Sequence, residues 1–127
     1  MKIGIDASRY NHEQATGVEW YSWHIINGII QEMLNNRSDE IILYSKEPIE
    51  YLNKQVDHKN IFKKIIKAKR LWTLFHLSKE MMKNPPDVLF VPSHTLPLYL
   101  PKKTVITIHD VAFRREKKFI PSSNIII

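Results

Sequence analysis

The chain contains no cysteine among its 127 residues. Disulfides, thiolate nucleophiles and cysteine-based zinc sites are excluded together, which accords with a reducing compartment and leaves oxygen and imidazole as the reactive groups. Glycine is nearly as scarce, with Gly4, Gly17 and Gly28 its only occurrences. The fingerprint G-x-G-x-x-G cannot be assembled from them, so an ordinary Rossmann dehydrogenase is not expected. No apolar run approaches the ~18 residues that a bilayer-spanning helix needs. The opening MKIGIDAS lacks the apolar core of a secretory signal and reads as mature protein from its first residues, which makes a cytoplasmic location the default expectation. Negative charge is the last shortage: 13 acidic residues face 19 basic ones, for a formal charge of +6. The imbalance is local. Lys59, Lys63, Lys64, Lys67, Lys69, Arg70, Lys79 and Lys83 are opposed within their segment by Glu80 alone. Two readings stay open, a solvated basic face and a surface that meets anionic lipid or a phosphorylated substrate.

What is present is an ordinary globular composition, 43% apolar and 25% charged, in a chain of a length suited to one domain. KIGID, Lys2 to Asp6, alternates as a strand and leads into the polar loop SRYNHEQATG. Thr16 and Glu19 have the spacing of a capping box, so a helix is expected to begin near Gly17. Val18, Tyr21, Ile25, Ile29 and Met33, joined by Ile26, Ile30 and Leu34, then recur at three- and four-residue steps up to Asn35-Asn36. EIILYS, Glu40 to Ser45, predicts a second strand, and Pro48 to Gln55 a short helix. Asn60 to Ile66 fits either a strand or a helix start. From Arg70 a helical pattern of Leu71, Trp72, Leu74, Phe75, Leu77, Met81 and Met82 runs until Pro85-Pro86 stops it. DVLFV, Asp87 to Val91, and Lys103 to Ile108 predict two more strands, whereas PSSNIII shows no plan.

Strands alternating with helices indicate βαβ units: a Rossmann-like, doubly wound α/β domain with a mostly parallel sheet and helices on both faces. Ligands of such sheets bind beyond the carboxyl ends of the strands, where loops converge and helix N-termini direct free amides. The polar features fall at those ends. Thr16-Gly17 opens a helix, where exposed amides suit a phosphate or simply make an ordinary capped start. His94 follows a strand in VPSHTLPL and could place its imidazole in the same cleft, although a lone loop histidine is more often a surface or satisfied residue. His109 and Asp110 end VITIHD, and serve as general acid or base, as hydrogen-bonding groups for a polyhydroxylated ligand, or as a pair closing a turn. A metal site would need further His and Asp partners that the sequence does not offer. Trp20 and Trp72 fall within helical apolar patterns and are expected at the core or its edge, and His24 and His76 are expected to be unremarkable helix residues.

Taken in order, KIGIDASRY, TGVEWYSWHIINGI, RLWTLFHLSKEM, PPDVLFVPSHTLPL and KKTVITIHDVAF resemble the N-terminal domain of a family 4 retaining glycosyltransferase of the GT-B fold. The resemblance runs from Met1 to about Phe113 and rests on the ordered set rather than on one motif. It implies the acceptor-side half of a hexosyltransferase that moves a sugar from a nucleotide-diphosphate donor to a glycan or lipid-linked acceptor with retention. It implies that Thr16 and Gly17 lie against the donor diphosphate and that His109 sits beside the transferred sugar. Arg9, Tyr21, His94 and Asp110 become acceptor-side or cleft-lining candidates. No metal or other cofactor is expected, since the family is metal-independent.

The same resemblance places the paired glutamates and most donor contacts in a second domain, so the 127-residue chain is expected to be one domain, incomplete at its C-terminus and inactive alone. Its basic stretch, 59–83, would hold it at the inner membrane face. A non-catalytic α/β module binding a nucleotide, a polyanion or a protein is the alternative. A nucleic-acid partner is not expected, because aromatic and basic residues do not interleave as in single-strand binders.

Overall fold

A computed structural model describes residues 1–10, 17–35, 38–49, 58–109 and 125–126. Its strands are β1 (Lys2–Asp6), β2 (Glu40–Ser45), β3 (Ile61–Ile65), β4 (Val88–Val91), β5 (Thr104–Ile106) and β6 (Ile125–Ile126). They form one sheet in the order β3-β2-β1-β4-β5-β6, and every pairing is parallel. The order 3-2-1-4-5 is that of a Rossmann-like α/β fold. β1 is central, with Ile5 opposite Leu43 on one side and Phe90 on the other.

Helix α1, Gly17–Asn35, follows β1. Its apolar residues recur at helical spacing, Glu19 lies in the first turn where the helix dipole favours a negative charge, and Ile26 and Ile30 are buried. Burying two such side chains stabilises the packing by about 1.5–3 kcal/mol each. Buried Ser22 does not orphan its hydroxyl, which donates to the Val18 carbonyl at 2.8 Å.

The second helical stretch departs from the expected plain helix. Leu71 adopts a left-handed conformation (φ 51, ψ 37), Trp72–Leu77 form a π-helical turn, and only then does α2, Ser78–Lys83, begin. A turn bonded i to i+5 brings residues five apart to roughly the same side, so both Trp72 and Leu77 face the interior. The indole is fixed there by donating from Nε1 to the Ile66 carbonyl at 2.7 Å. Ser78 ties this helix to the loop after β4: its hydroxyl donates to Leu74 and accepts from the Leu98 amide at 2.6 Å.

The two helical stretches cover opposite faces of the sheet. Ile26 and Ile30 of α1 pack with Ile5, Ala7, Ile41 and Leu43, whereas Trp72, Leu77 and Met81 pack with Tyr44, Leu89, Val91 and Ile106. Neighbours Leu43 and Tyr44 belong to different clusters because successive strand residues point to opposite faces. Handedness explains the arrangement. From β1 the chain moves one way to β2, from β3 it moves the other way to β4, and right-handed crossovers then put their helices on opposite faces.

Gly4 marks where β1 meets its neighbours most closely. A Cβ there would stand 2.8 Å from Pro86 Cγ and 2.9 Å from Tyr44 Cε2, so only glycine fits without displacement. The ambiguous Asn60 to Ile66 stretch is resolved as edge strand β3, whose partner is β2 throughout. Its exposed lysines Lys63 and Lys64 discourage pairing with another chain's edge. The expected helix over Pro48 to Gln55 lies mainly outside the described residues. Ile125–Ile126, where no element was expected, lie beside β5. No helix among the described residues is long and apolar enough to cross a membrane.

Candidate functional site at the strand ends

The strand order defines where a crevice must open. Connections leave β1 toward β2 and β4 toward β5, so the loops diverge beyond the carboxyl ends of the adjacent strands β1 and β4. Side chains from two separate segments meet there, with a backbone carbonyl from a third. Tyr21, in the second turn of α1, places its hydroxyl 3.0 Å from Thr107 Oγ1. Its ring stands edge-on to the His109 imidazole, with centroids 4.8 Å apart and planes at 83°. His109 Nε2 lies 3.0 Å from the carbonyl of Pro92, just past β4.

The strand period explains why Thr107 and His109 act together. Ile106 and Ile108 pack on the α2 side, so the alternating positions 107 and 109 face the α1 side, where Tyr21 stands. The loop is also held by the backbone, since the Thr107 amide donates to the Val91 carbonyl at 3.0 Å. The Pro92 contact decides the imidazole tautomer. A carbonyl only accepts, so Nε2 carries the proton and donates it, leaving Nδ1 as the ring's lone-pair nitrogen when the imidazole is neutral. In this tautomer the exposed His109 ring offers Nδ1 as a hydrogen-bond acceptor to a hydroxyl.

The end of β1 contributes a second polar group. Asp6 is 3% exposed, its Oδ1 accepts from the Ser8 amide at 2.9 Å, and the resulting turn carries exposed Arg9. Burial raises the Asp6 pKa above its ordinary carboxylate value, against the opposing effects of the Ser8 hydrogen bonds and the Arg9 and Lys46 charges. Gly17 opens α1, is exposed, and a Cβ there would meet nothing within 4 Å among the described residues. Among the described residues, neither packing nor a left-handed backbone conformation demands glycine at that point.

The structure thus brings Tyr21 and His109 into contact. His94 is exposed in the loop after β4 and makes no hydrogen bond, ion pair or ring contact with the described residues. Thr16 and Asp110 lie outside the described residues, and with them the expected capping box and the carboxylate partner of His109. Among the described residues no group of three or more His, Asp or Glu is placed to hold a metal ion.

Thr107, the Pro92 carbonyl and Asp6 were missed as site residues. Thr107 was legible in principle, since its shared parity with His109 puts both on one face. The Pro92 contact was not, because it depends on the spacing between β4 and β5. Trp72 is buried as expected, but Trp20 is 44% exposed and stacks on His24 with centroids 5.7 Å apart. Trp20 falls outside the core because the α1 stripe that meets the sheet is centred on Ser22, Ile26 and Ile30.

The fold and the crevice define a Rossmann-like parallel α/β domain with a hydroxyl-and-imidazole cluster at its strand ends. No protein-family model, curated protein or solved structure matches the chain.

Proposed function

We propose that the chain is the acceptor-binding half of a GT-B retaining glycosyltransferase, which moves a hexose from a nucleotide-diphosphate sugar to a glycan or lipid-linked acceptor. The single observation that carries this reading is the Tyr21, Thr107 and His109 cluster. A polyhydroxylated ligand needs neutral groups that both donate and accept at fixed positions, and two hydroxyls with one tautomer-locked imidazole supply them. Gly17 supports the reading from the neighbouring helix start: no described residue lies within 4 Å of where its Cβ would stand, and helix amides and the helix dipole favour a diphosphate there. Arg9, carried on the turn that Asp6 fixes, adds positive charge at the end of β1.

In this reading His109 Nδ1 accepts a hydrogen bond from a sugar hydroxyl, and Tyr21 positions the imidazole without touching the reacting centre. A second Rossmann-like domain supplies the remaining donor contacts, so this domain by itself binds without turning over. Calorimetric titration with nucleotide-diphosphate hexoses and with free glycans tests the proposal. His109→Ala is expected to weaken binding by up to about tenfold, the effect of one hydrogen bond to an uncharged group. Indifference of every bound sugar to that change would remove His109 from the site. Sugar transfer by the isolated chain would overturn the division of labour between two domains.

A further inference from the structure

The π-helical turn carries a feature that its packing does not require. Leu71 is the one non-glycine residue with positive φ among the described residues, and its side chain is 57% exposed. Left-handed backbone is unfavourable for leucine, so the local conformation is strained while its apolar group is held in water. Phe75 lies one turn on, its amide bonded to the Leu71 carbonyl at 3.0 Å, and is 54% exposed. The loop after β4 adds Leu98 and Tyr99, at 70% and 46% exposure, brought alongside because both amides donate to the Ser78 hydroxyl and the Leu98 amide also reaches the Leu74 carbonyl. Large exposed apolar residues gathered from two segments constitute a patch rather than scattered surface hydrophobes.

The charge around this patch has one sign. Arg70 precedes Leu71, Lys79 follows Phe75 by one turn, and Lys102 follows Tyr99, all of them exposed. The helix's acidic residue, Glu80, is already engaged by Lys64 and by Asn84. A purely apolar partner would leave these cations desolvated and unpaired, whereas an anionic planar surface satisfies them while the apolar side chains enter its boundary.

We propose that Leu71, Phe75, Leu98 and Tyr99, rimmed by Arg70, Lys79 and Lys102, dock the protein on an anionic lipid surface. The apolar residues insert at the headgroup boundary and the cations meet lipid phosphates. This surface stands independently of the sugar-transfer reading, since vesicle binding and sugar binding are measured separately.

The test is co-sedimentation of the full chain with vesicles of phosphatidylglycerol and phosphatidylcholine, compared with phosphatidylcholine alone. Binding is expected on the mixed vesicles only and should weaken as salt is raised. Phe75→Ala and Leu98→Ala should each weaken it by about tenfold, the effect of withdrawing roughly half a large side chain from an apolar environment. Leu71→Gly separates fold from docking, because it relieves the backbone strain and removes the inserted group together: the melting temperature should hold or rise while vesicle binding falls. Equal binding to neutral vesicles, no binding, or binding unchanged in Phe75→Ala and abolished by soluble heparin would each overturn the proposal. The heparin result would indicate a polyanion-binding protein instead.

Discussion

Removing the hydroxyl that links α1 to the end of β5 is the sharpest structural perturbation of the site. Tyr21→Phe deletes one partner of the 3.0 Å contact with Thr107 and keeps the ring against His109. Both groups are partly buried, so each single change, Tyr21→Phe or Thr107→Val, should cost about 0.5–1.5 kcal/mol. The double variant removes both partners of the same bond. Its cost should therefore fall short of the sum of the singles by about 1 kcal/mol, a coupling that distant sites do not show. For a domain of this size 1 kcal/mol corresponds to roughly 3–5 °C in Tm. Urea denaturation of the four proteins measures the coupling through the midpoint at constant slope. Proton NMR of the His109 ring supplies a second readout: Tyr21→Phe should leave its resonances in place and Tyr21→Leu should shift them. Additivity within about 0.3 kcal/mol, with a His109 signal indifferent to Tyr21→Leu, would refute the convergence of these segments.

Gly4→Ala should destabilise the fold by a net ~1–2 kcal/mol, since overpacking against Pro86 and Tyr44 outweighs the smaller gain from a stiffer unfolded chain. Calorimetric Tm checks this, and Pro86→Ala should recover part of the loss. Asp6→Asn should raise Tm at neutral pH, because burial favours the protonated carboxyl and amide replacement keeps an acceptor for the Ser8 amide. The native Asp6 contributes its full stability below the unfolded value near 3.8 and loses it as pH rises through the higher folded value. The Tm gap between Asp6→Asn and the native protein should accordingly close on acidification, and a gap of constant size would show that the carboxylate is not what burial disfavours.

The fold was legible where periodicity was strong. The apolar spacing of Val18 to Leu34 set α1, and the short runs at Lys2, Glu40 and Asp87 set strands, because burial on two faces leaves few polar positions in a parallel sheet. The π-helical turn was not legible. Leu71 to Leu77 has an acceptable α-helical pattern, and the departure accompanies a tertiary bond between Trp72 and Ile66 that sequence spacing does not encode. The edge position of Ile125–Ile126 was hidden for a similar reason, since two residues carry no period. At the site, His109 was marked by its place at a strand end, and Tyr21 entered through the resemblance. What joins them is the register of β4 and β5 and the orientation of α1, which sequence spacing does not encode. Trp20 shows the converse error: it falls within the helical run, yet it lies off the face centred on Ser22, Ile26 and Ile30 that meets the sheet.

The central claim is that a sugar ligand meets this domain at the α1 start and the β5 end. An isotope-edited NMR titration of the 127-residue chain with a nucleotide-diphosphate hexose locates the ligand directly. The account predicts shifts concentrated at the Gly17 amide, the Tyr21 ring and His109 Nδ1, with His109 Nε2 remaining protonated toward Pro92. Shifts confined to the opposite, amino-terminal edge of the sheet, or none at saturating ligand, would contradict it.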